Sequence, residues 1–184
     1  MEELKVGICG WGNVATGLFS ALEKNADIIA SNSGAQFTVS VIGARRDNPK
    51  CDPGNTPIER DIFDVISHDI DVVVELIGGV EVARELIIKA IKNKKHVVTA
   101  NKAVIYHHGD EIFKLAKENG VRVLFDFFFC AGTPIIKLLK EELAANRISK
   151  ISGMLNGTSN FILSNMEEGA EFDSTLELAQ KEGY

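Results

Sequence analysis

No stretch of this chain stays apolar for the length of a bilayer span, so no membrane-crossing helix is expected. Basic residues form no stripe. The 20 lysines and arginines are mixed among 26 aspartates and glutamates, and the formal net charge is −6. That balance argues against nucleic acid as a main partner. Cysteine is scarce, with three in 184 residues, and Cys9, Cys51 and Cys130 stand at no CxxC or other metal-ligand spacing. They read as reduced thiols of a cytoplasmic protein. The opening MEELKVGICGWG is acidic and runs straight into a strand pattern, unlike a secretory signal. Of only four prolines, three lie within 47–57, which reads as a loop. What the chain does have is a 45% share of hydrophobic residues, enough for a packed core, within a length that allows one domain, or one domain plus part of a second.

The apolar residues alternate between strand and helix patterns. Strands are expected at 4–9, 37–44, 71–77, 95–99 and 121–125, and helices at 13–23, 81–93 and 103–119, the last closed by Asn119-Gly120. The run DVVVELI at 71–77 is nearly continuous in apolar residues, as in a parallel strand buried on both faces. This alternation predicts an α/β fold, a doubly wound parallel sheet of the Rossmann type with helices on both faces. The pattern changes near residue 130. Pro134 opens a long amphipathic stretch, followed by a strand-like KISGML at 150–155 and helix-like segments at 159–167 and 174–182. Ser174 and Glu177 have the spacing of a capping box for the last of these. Residues 1–133 therefore read as a nucleotide-binding domain. Residues 134–184 read as the beginning of a second, α+β domain with too few elements to close its own core.

Gly10-Trp11-Gly12-Asn13-Val14-Ala15 fits the GxGxxG/A pattern directly after a strand and at the opening of a helix. Gly10 suits the tight turn, Gly12 leaves bare backbone for a pyrophosphate, and Ala15 lets the helix lie close to the sheet. The helix start then offers free N–H groups and partial positive charge to phosphate. An NAD site would carry an acid at the end of the second strand. This chain has Ala44-Arg45-Arg46, and guanidinium groups suit the 2′-phosphate of NADP. Asp47 keeps NAD use open.

With GWGNVA, VVVELIGG, HVVTANKA, Gly132-Thr133-Pro134 and NGTSNFIL in that order, the chain resembles homoserine dehydrogenase over almost its whole length. Asn156-Gly157-Thr158-Ser159-Asn160-Phe161-Ile162-Leu163 stands beside the family's NGTTNYIL, and TANKA is nearly as specific. The resemblance implies reversible reduction of L-aspartate 4-semialdehyde to L-homoserine with NADPH or NADH, in threonine and methionine biosynthesis. It implies that Trp11, Asn13 and Val14 line the cofactor beside the glycines. Gly78 and Gly79 would pass near the nicotinamide ribose, with Ala100, Asn101 and Lys102 at the next turn. Gly157, Thr158 and Tyr184 would meet the amino-acid substrate, and Gly183-Tyr184 would open the family's GYxE motif, with Gly183 beside the cofactor. It also implies a sodium ion held mainly by main-chain carbonyls of Asp126, Phe129, Ala131 and Thr133, and a homodimer formed by the full-length protein.

Two departures accompany the match. Phe127-Phe128-Phe129 replaces small residues where backbone would pass close to the cofactor, which fits either a thicker core strand or a remodelled pocket. The sequence ends at Tyr184, before the acids and the second lysine of the family's substrate site, so it is expected to be the front half of the enzyme. Such a chain should bind cofactor better than it turns over substrate. A nucleotide-binding or assembly module without turnover is the alternative.

Lys102 carries the chemistry in this reading. In a doubly wound sheet, ligands sit at the carboxyl ends of the strands, and Lys102 follows strand 95–99 there. A cation so placed stabilises negative charge on a carbonyl oxygen receiving hydride. A lysine is otherwise unfavourable at a helix start. Glu75 fits either a site acid or a strand-end group bonded to backbone. His107-His108 lacks a ligand partner one turn away and reads as a solvated face. Asn160 reads as a cap or brace for the helix that follows rather than a ligand contact.

Overall fold

The computed structural model describes residues 1–125, 135, 138–154 and 156–182. The chain divides into two compact units, Met1–Phe128 and Phe129–Tyr184. In the first unit β1 (Glu2–Cys9) leads to α1 (Asn13–Lys24), α2 (Ala26–Ser33) and β2 (Ala35–Gly43). A two-residue β3 (Ile58–Glu59) and a 3₁₀ turn (Asp64–Ser67) follow, then β4 (Val72–Glu75), α3 (Glu81–Lys92), β5 (His96–Thr99), α4 (Lys102–Asn119) and β6 (Val123–Leu124). The sheet order is β3-β2-β1-β4-β5-β6, and every neighbouring pair is parallel. This is the doubly wound, Rossmann-like sheet that the alternation predicts.

Adjacent residues within the central strands feed opposite cores, because side chains alternate along a strand. Val41, Val73 and Val97 join Leu86, Ile87 and Ile91 of α3 and Ile112 of α4 on one face. Val6, Ile8, Ile42 and Val74 join Trp11, Ala15 and Phe19 on the other, under α1. Each such aliphatic side chain contributes about 1.5–3 kcal/mol on full burial. That double burial is why 71–77 reads as an apolar run, although the paired strand is only Val72–Glu75. The connection from β3 to β4 carries a short 3₁₀ turn rather than a full helix. It lies close on the sheet because Gly7 has no side chain: a Cβ there would stand 2.7 Å from Val65 Cγ1.

In the second unit, the described part of the amphipathic stretch includes a helical Ile135 and a five-residue π-type turn, Leu138–Glu142. The unit differs from expectation in two places. Residues 150–154 form no strand, and Ile151 and Met154 are 57% and 62% exposed. An extended segment needs a ladder partner for its N–H and C=O groups, and none is present among the described residues. The helices are α5 (Gly157–Glu167) and α6 (Phe172–Glu182). Because α6 starts at Phe172, Ser174 lies inside it rather than at its cap. The Ser174 hydroxyl donates to Glu171 O at 2.9 Å, so the expected capping box does not form.

Candidate nucleotide and substrate site

The carboxyl edge of the sheet is built from three crossovers. At the first, Gly10 N–H donates to Gly43 O at 2.8 Å, and Leu76 N–H donates to Cys9 O at 2.8 Å, stitching the ends of β1, β2 and β4 together. Gly10 sits at φ +107°, and a Cβ there would lie 2.6 Å from Leu76 O. Only glycine fits. Trp11 turns inward and meets Phe19 edge-to-face at 5.4 Å, and its carbonyl accepts from Asn48 Nδ2 at 3.0 Å. Gly12 then caps α1 with no side-chain hydrogen bond, and no acid stands in the first turn. Nothing lies within 4 Å of where a Gly12 Cβ would be. Ala15 is buried, while Val14 is 51% exposed. The first N–H groups of α1 thus face open space, which suits an anion.

Beside this turn is a cleft of about 400 Å³ lined by backbone and side chains of Gly10, Trp11, Ala44, Arg45, Arg46 and Gly78, with apolar flanks from Ile62, Ile77 and Val82. Arg45 and Arg46 are exposed on its rim. Asp47, the one acid in the residues just after β2, is bonded to Arg60 at 2.7 Å, and the same guanidinium donates to Ala44 O at 3.3 Å.

The remaining crossovers leave β4 and β5. Glu75 is fully buried at the end of β4. Its Oε1 accepts from Ile77 N–H at 2.9 Å, and its Oε2 makes a short hydrogen bond with the Thr99 hydroxyl. Burial holds its carboxyl above the usual range, opposed by hydrogen bonds from Thr99, the Ile77 backbone and Asn101. Cys9, paired with Glu75 across β1 and β4, has a thiol pushed up to about 12 by burial and by that carboxyl. Asn101 caps α4 by accepting from Val104 N–H at 3.2 Å. Its amide donates to Gly79 O at 2.6 Å and to Ile77 O at 3.3 Å. Lys102 is the first residue of α4 and is exposed.

Residues 10–126 match the family model described as "Homoserine dehydrogenase, NAD binding domain". The chain belongs to the homoserine dehydrogenase family. Residues 134–184 match a second model of that family, described as "Homoserine dehydrogenase". The homoserine dehydrogenase of Pseudomonas aeruginosa is 55% identical across all of this chain and 43% of its own length. That of Neisseria gonorrhoeae is 42% identical, again over 100% of this chain and 43% of its own. The crystal structure of the homoserine dehydrogenase from Thiobacillus denitrificans superposes with TM-score 0.92 at 46% identity, covering 100% of this chain and 43% of that one. A hyperthermophilic archaeal homoserine dehydrogenase in complex with NADPH gives TM-score 0.78 at 28% identity, over 98% of this chain and 61% of that one. The chain thus spans less than half the length of these curated bacterial relatives.

Within this homoserine dehydrogenase-family chain, the cleft gathers Gly10, Trp11, Arg45, Arg46 and Gly78. Gly12, Asn13 and Val14 follow Trp11 at the start of α1 and are not among the residues lining the cleft. Gly79, Ala100, Asn101 and Lys102, also outside its lining, lie at the turns after β4 and β5. Asn101 is joined to Gly79 directly. A nicotinamide dinucleotide fits this donor set: a vacant helix start for the pyrophosphate, guanidinium groups at the ribose end and a bare Gly78 with nothing within 4 Å of a Cβ. In the second unit, Gly157 and Thr158 form the first turn of α5, capped by Asn156, whose Oδ1 accepts from Ser159 N–H at 2.7 Å. Gly183, Tyr184, Asp126, Phe127, Phe128, Phe129, Ala131 and Thr133 lie outside the described residues. Composition and spacing did not point to Ile62, Val82, Asn48 or Arg60. None belongs to a motif, and a single arginine or asparagine in a loop carries no sequence signal of its partner. Glu75 is the exception, since an acid that ends an apolar run is visible in the sequence. Of its two readings, the structure shows the strand-end group bonded to backbone, at Ile77 N–H.

Proposed function

We propose that the protein carrying this chain interconverts L-aspartate 4-semialdehyde and L-homoserine with NADPH as the favoured cofactor. The observation that carries this reading is the position of Lys102. It opens α4 at the carboxyl edge of the sheet, one residue after an asparagine bonded to Gly79, in a chain whose full length aligns with homoserine dehydrogenases. The cofactor supplies hydride exchange at its nicotinamide ring. The chain's own residues hold and orient. The start of α1 takes the diphosphate, and Arg45 and Arg46 take the 2′-phosphate. The Arg60–Asp47 pair supports NADP over NAD, because it engages the one nearby carboxylate that would otherwise accept from a ribose hydroxyl.

Lys102 then places its ammonium at the substrate carbonyl and stabilises the negative charge that develops on oxygen. Gly157 and Thr158, with Gly183 and Tyr184, contribute to the amino-acid and cofactor contacts. Main-chain carbonyls of Asp126, Phe129, Ala131 and Thr133 hold a sodium ion, a hard cation that prefers oxygen. The full-length protein works as a cytoplasmic homodimer. The deciding experiment is homoserine-dependent NADP⁺ reduction by the full-length protein, with Lys102→Ala beside it. That variant should keep its circular dichroism and lose about 100-fold or more in kcat, the scale of a lost oxyanion partner. Undiminished turnover in Lys102→Ala would remove the role.

A further inference from the structure

Two polar side chains that the proposed reaction does not use are enclosed beneath its lysine. Glu75 is 0% exposed and Thr99 1%. A buried carboxyl is costly unless its oxygens are occupied, and here both are, by Ile77 N–H and by the Thr99 hydroxyl. The Thr99 oxygen also accepts from Asn101 N–H at 3.0 Å. The Asn101 amide reaches back to Ile77 O at 3.3 Å and to Gly79 O at 2.6 Å. These bonds close a ring: Glu75 to the Ile77 backbone, Ile77 to Asn101, Asn101 to Thr99, and Thr99 to Glu75. The ring joins the loop that follows β4 to the turn that follows β5. The strand register stops at Glu75 and Thr99, and beyond it Ala100 N–H donates to Glu75 O at 3.1 Å, so the ring carries the connection on from the ladder to Ile77 and Asn101.

We propose that Glu75 and Thr99 are positioning residues that clamp the Ile77–Gly79 loop to the start of α4, and so set Lys102 against the nicotinamide end of the cleft. The chemistry favours this residue pair. A carboxyl group presents two oxygens, and here one takes Ile77 N–H while the other pairs with the Thr99 hydroxyl. The Thr99 oxygen also accepts from the helix-start N–H of Asn101, which α4 itself cannot satisfy. An apolar pair of equal volume would fill the space and leave Asn101 N–H and Ile77 N–H orphaned. Positioning matters because small displacements of a catalytic group are expensive in rate. The inference rests on Lys102 acting as proposed above, but the clamp itself is a statement about two loops and is read separately.

The test uses the full-length protein with Thr99→Val, which keeps the shape and removes the hydroxyl, and Thr99→Ser, which restores it. Amide hydrogen exchange reads the clamp: Thr99→Val should speed exchange about tenfold or more at both 77–79 and 101–104, with segment 86–91 unchanged. Kinetics read the positioning: kcat should fall about tenfold or more while the NADPH dissociation constant, measured by calorimetry, stays within about threefold. Thr99→Ser should return both readouts close to the parent. Loosening of one loop alone, or of neither, overturns the clamp. Loosening of both with unchanged kcat overturns the link to Lys102, and a rate loss that tracks faster exchange in 86–91 marks a merely structural role and overturns it too. Absence of homoserine-dependent reduction in the parent protein sinks the proposed function, and exchange alone then decides the clamp. If Thr99→Val does not fold, Glu75→Gln, read the same way, decides in its place.

Discussion

The starts of α1 and α4 are the same device, a strand turning into a helix at the carboxyl edge of one sheet, yet they are finished in opposite ways. Gly12 gives α1 no side-chain cap, no acid follows in the first turn, and the space beside it is empty. The Asn101 side chain caps α4 at Val104 N–H, Thr99 takes the Asn101 N–H, and a lysine follows at once. One helix start has no side-chain cap and can receive an anionic group. The other has a side-chain cap of its own, and what it offers a ligand is the side chain it holds in place. On the function proposed above, vacancy at one end and fixation at the other would divide the work between gripping a cofactor and aligning a reaction.

The sharpest way to break the comparison is through the two glycines of the first turn. Gly10→Ala meets Leu76 O at 2.6 Å and a left-handed φ, and should cost about 2–4 kcal/mol in chemical denaturation. Gly12→Ala meets nothing in the protein. It should keep stability within about 1 kcal/mol, while NADPH affinity in calorimetry falls about tenfold to a hundredfold, because the methyl stands where diphosphate would approach. If the second variant binds normally, the vacancy at α1 has no purpose. At the other end, Asn101→Ala should lower stability by about 1–2 kcal/mol through loss of the cap and leave NADPH affinity nearly unchanged, the reverse of Gly12→Ala.

The smallest effect concerns pH. Burial raises the Glu75 carboxyl above 4.5 in the folded protein, so with rising pH the unfolded chain releases this proton first. Stability from this group is complete below 4.5 and declines as pH rises through the folded value. Cys9, across the strand pair, stays a neutral thiol throughout, with its pKa near 12. The exposed carboxyls of Asp69 and Glu111, beside Lys5 and Arg84, are shifted down and act in the opposite sense, at lower pH. Denaturation midpoints taken over a pH series should therefore show a decline just above 4.5 that Glu75→Gln abolishes. A parent and variant with parallel profiles would mean that burial does not raise this carboxyl.

Much of this fold was legible because its strands are short and doubly buried and its helices carry a clear apolar stripe, as Ala83, Leu86, Ile87, Ala90 and Ile91 show in α3. The glycine turn was legible because its backbone requirement falls on residue identity. Three kinds of feature were not. A two-residue strand such as Ile58–Glu59 has no periodicity to detect, and α2 breaks the stripe with Ser31, Asn32 and Ser33. The strand expected at 150–155 had the right residues but no neighbour to pair with among those described. The ring through Glu75, Thr99 and Asn101 depends on register: β4 and β5 pair so that Glu75 lies opposite Thr99, and nothing in either segment announces the other. In the site itself, Gly10, Gly12, Arg45 and Arg46 could be singled out by residue type, whereas the partners that Glu75 and Asn101 bond could not.

Trp11 is the only tryptophan in this sequence. Its indole stands against Phe19 on one side and helps line the cleft on the other. Indole emission overlaps the absorption of reduced nicotinamide, so a dinucleotide lodged there should drain its excited state by resonance transfer. The fold has placed a single optical reporter in the wall of the proposed binding crevice, where occupancy by a reduced dinucleotide should register as dimming without any added dye.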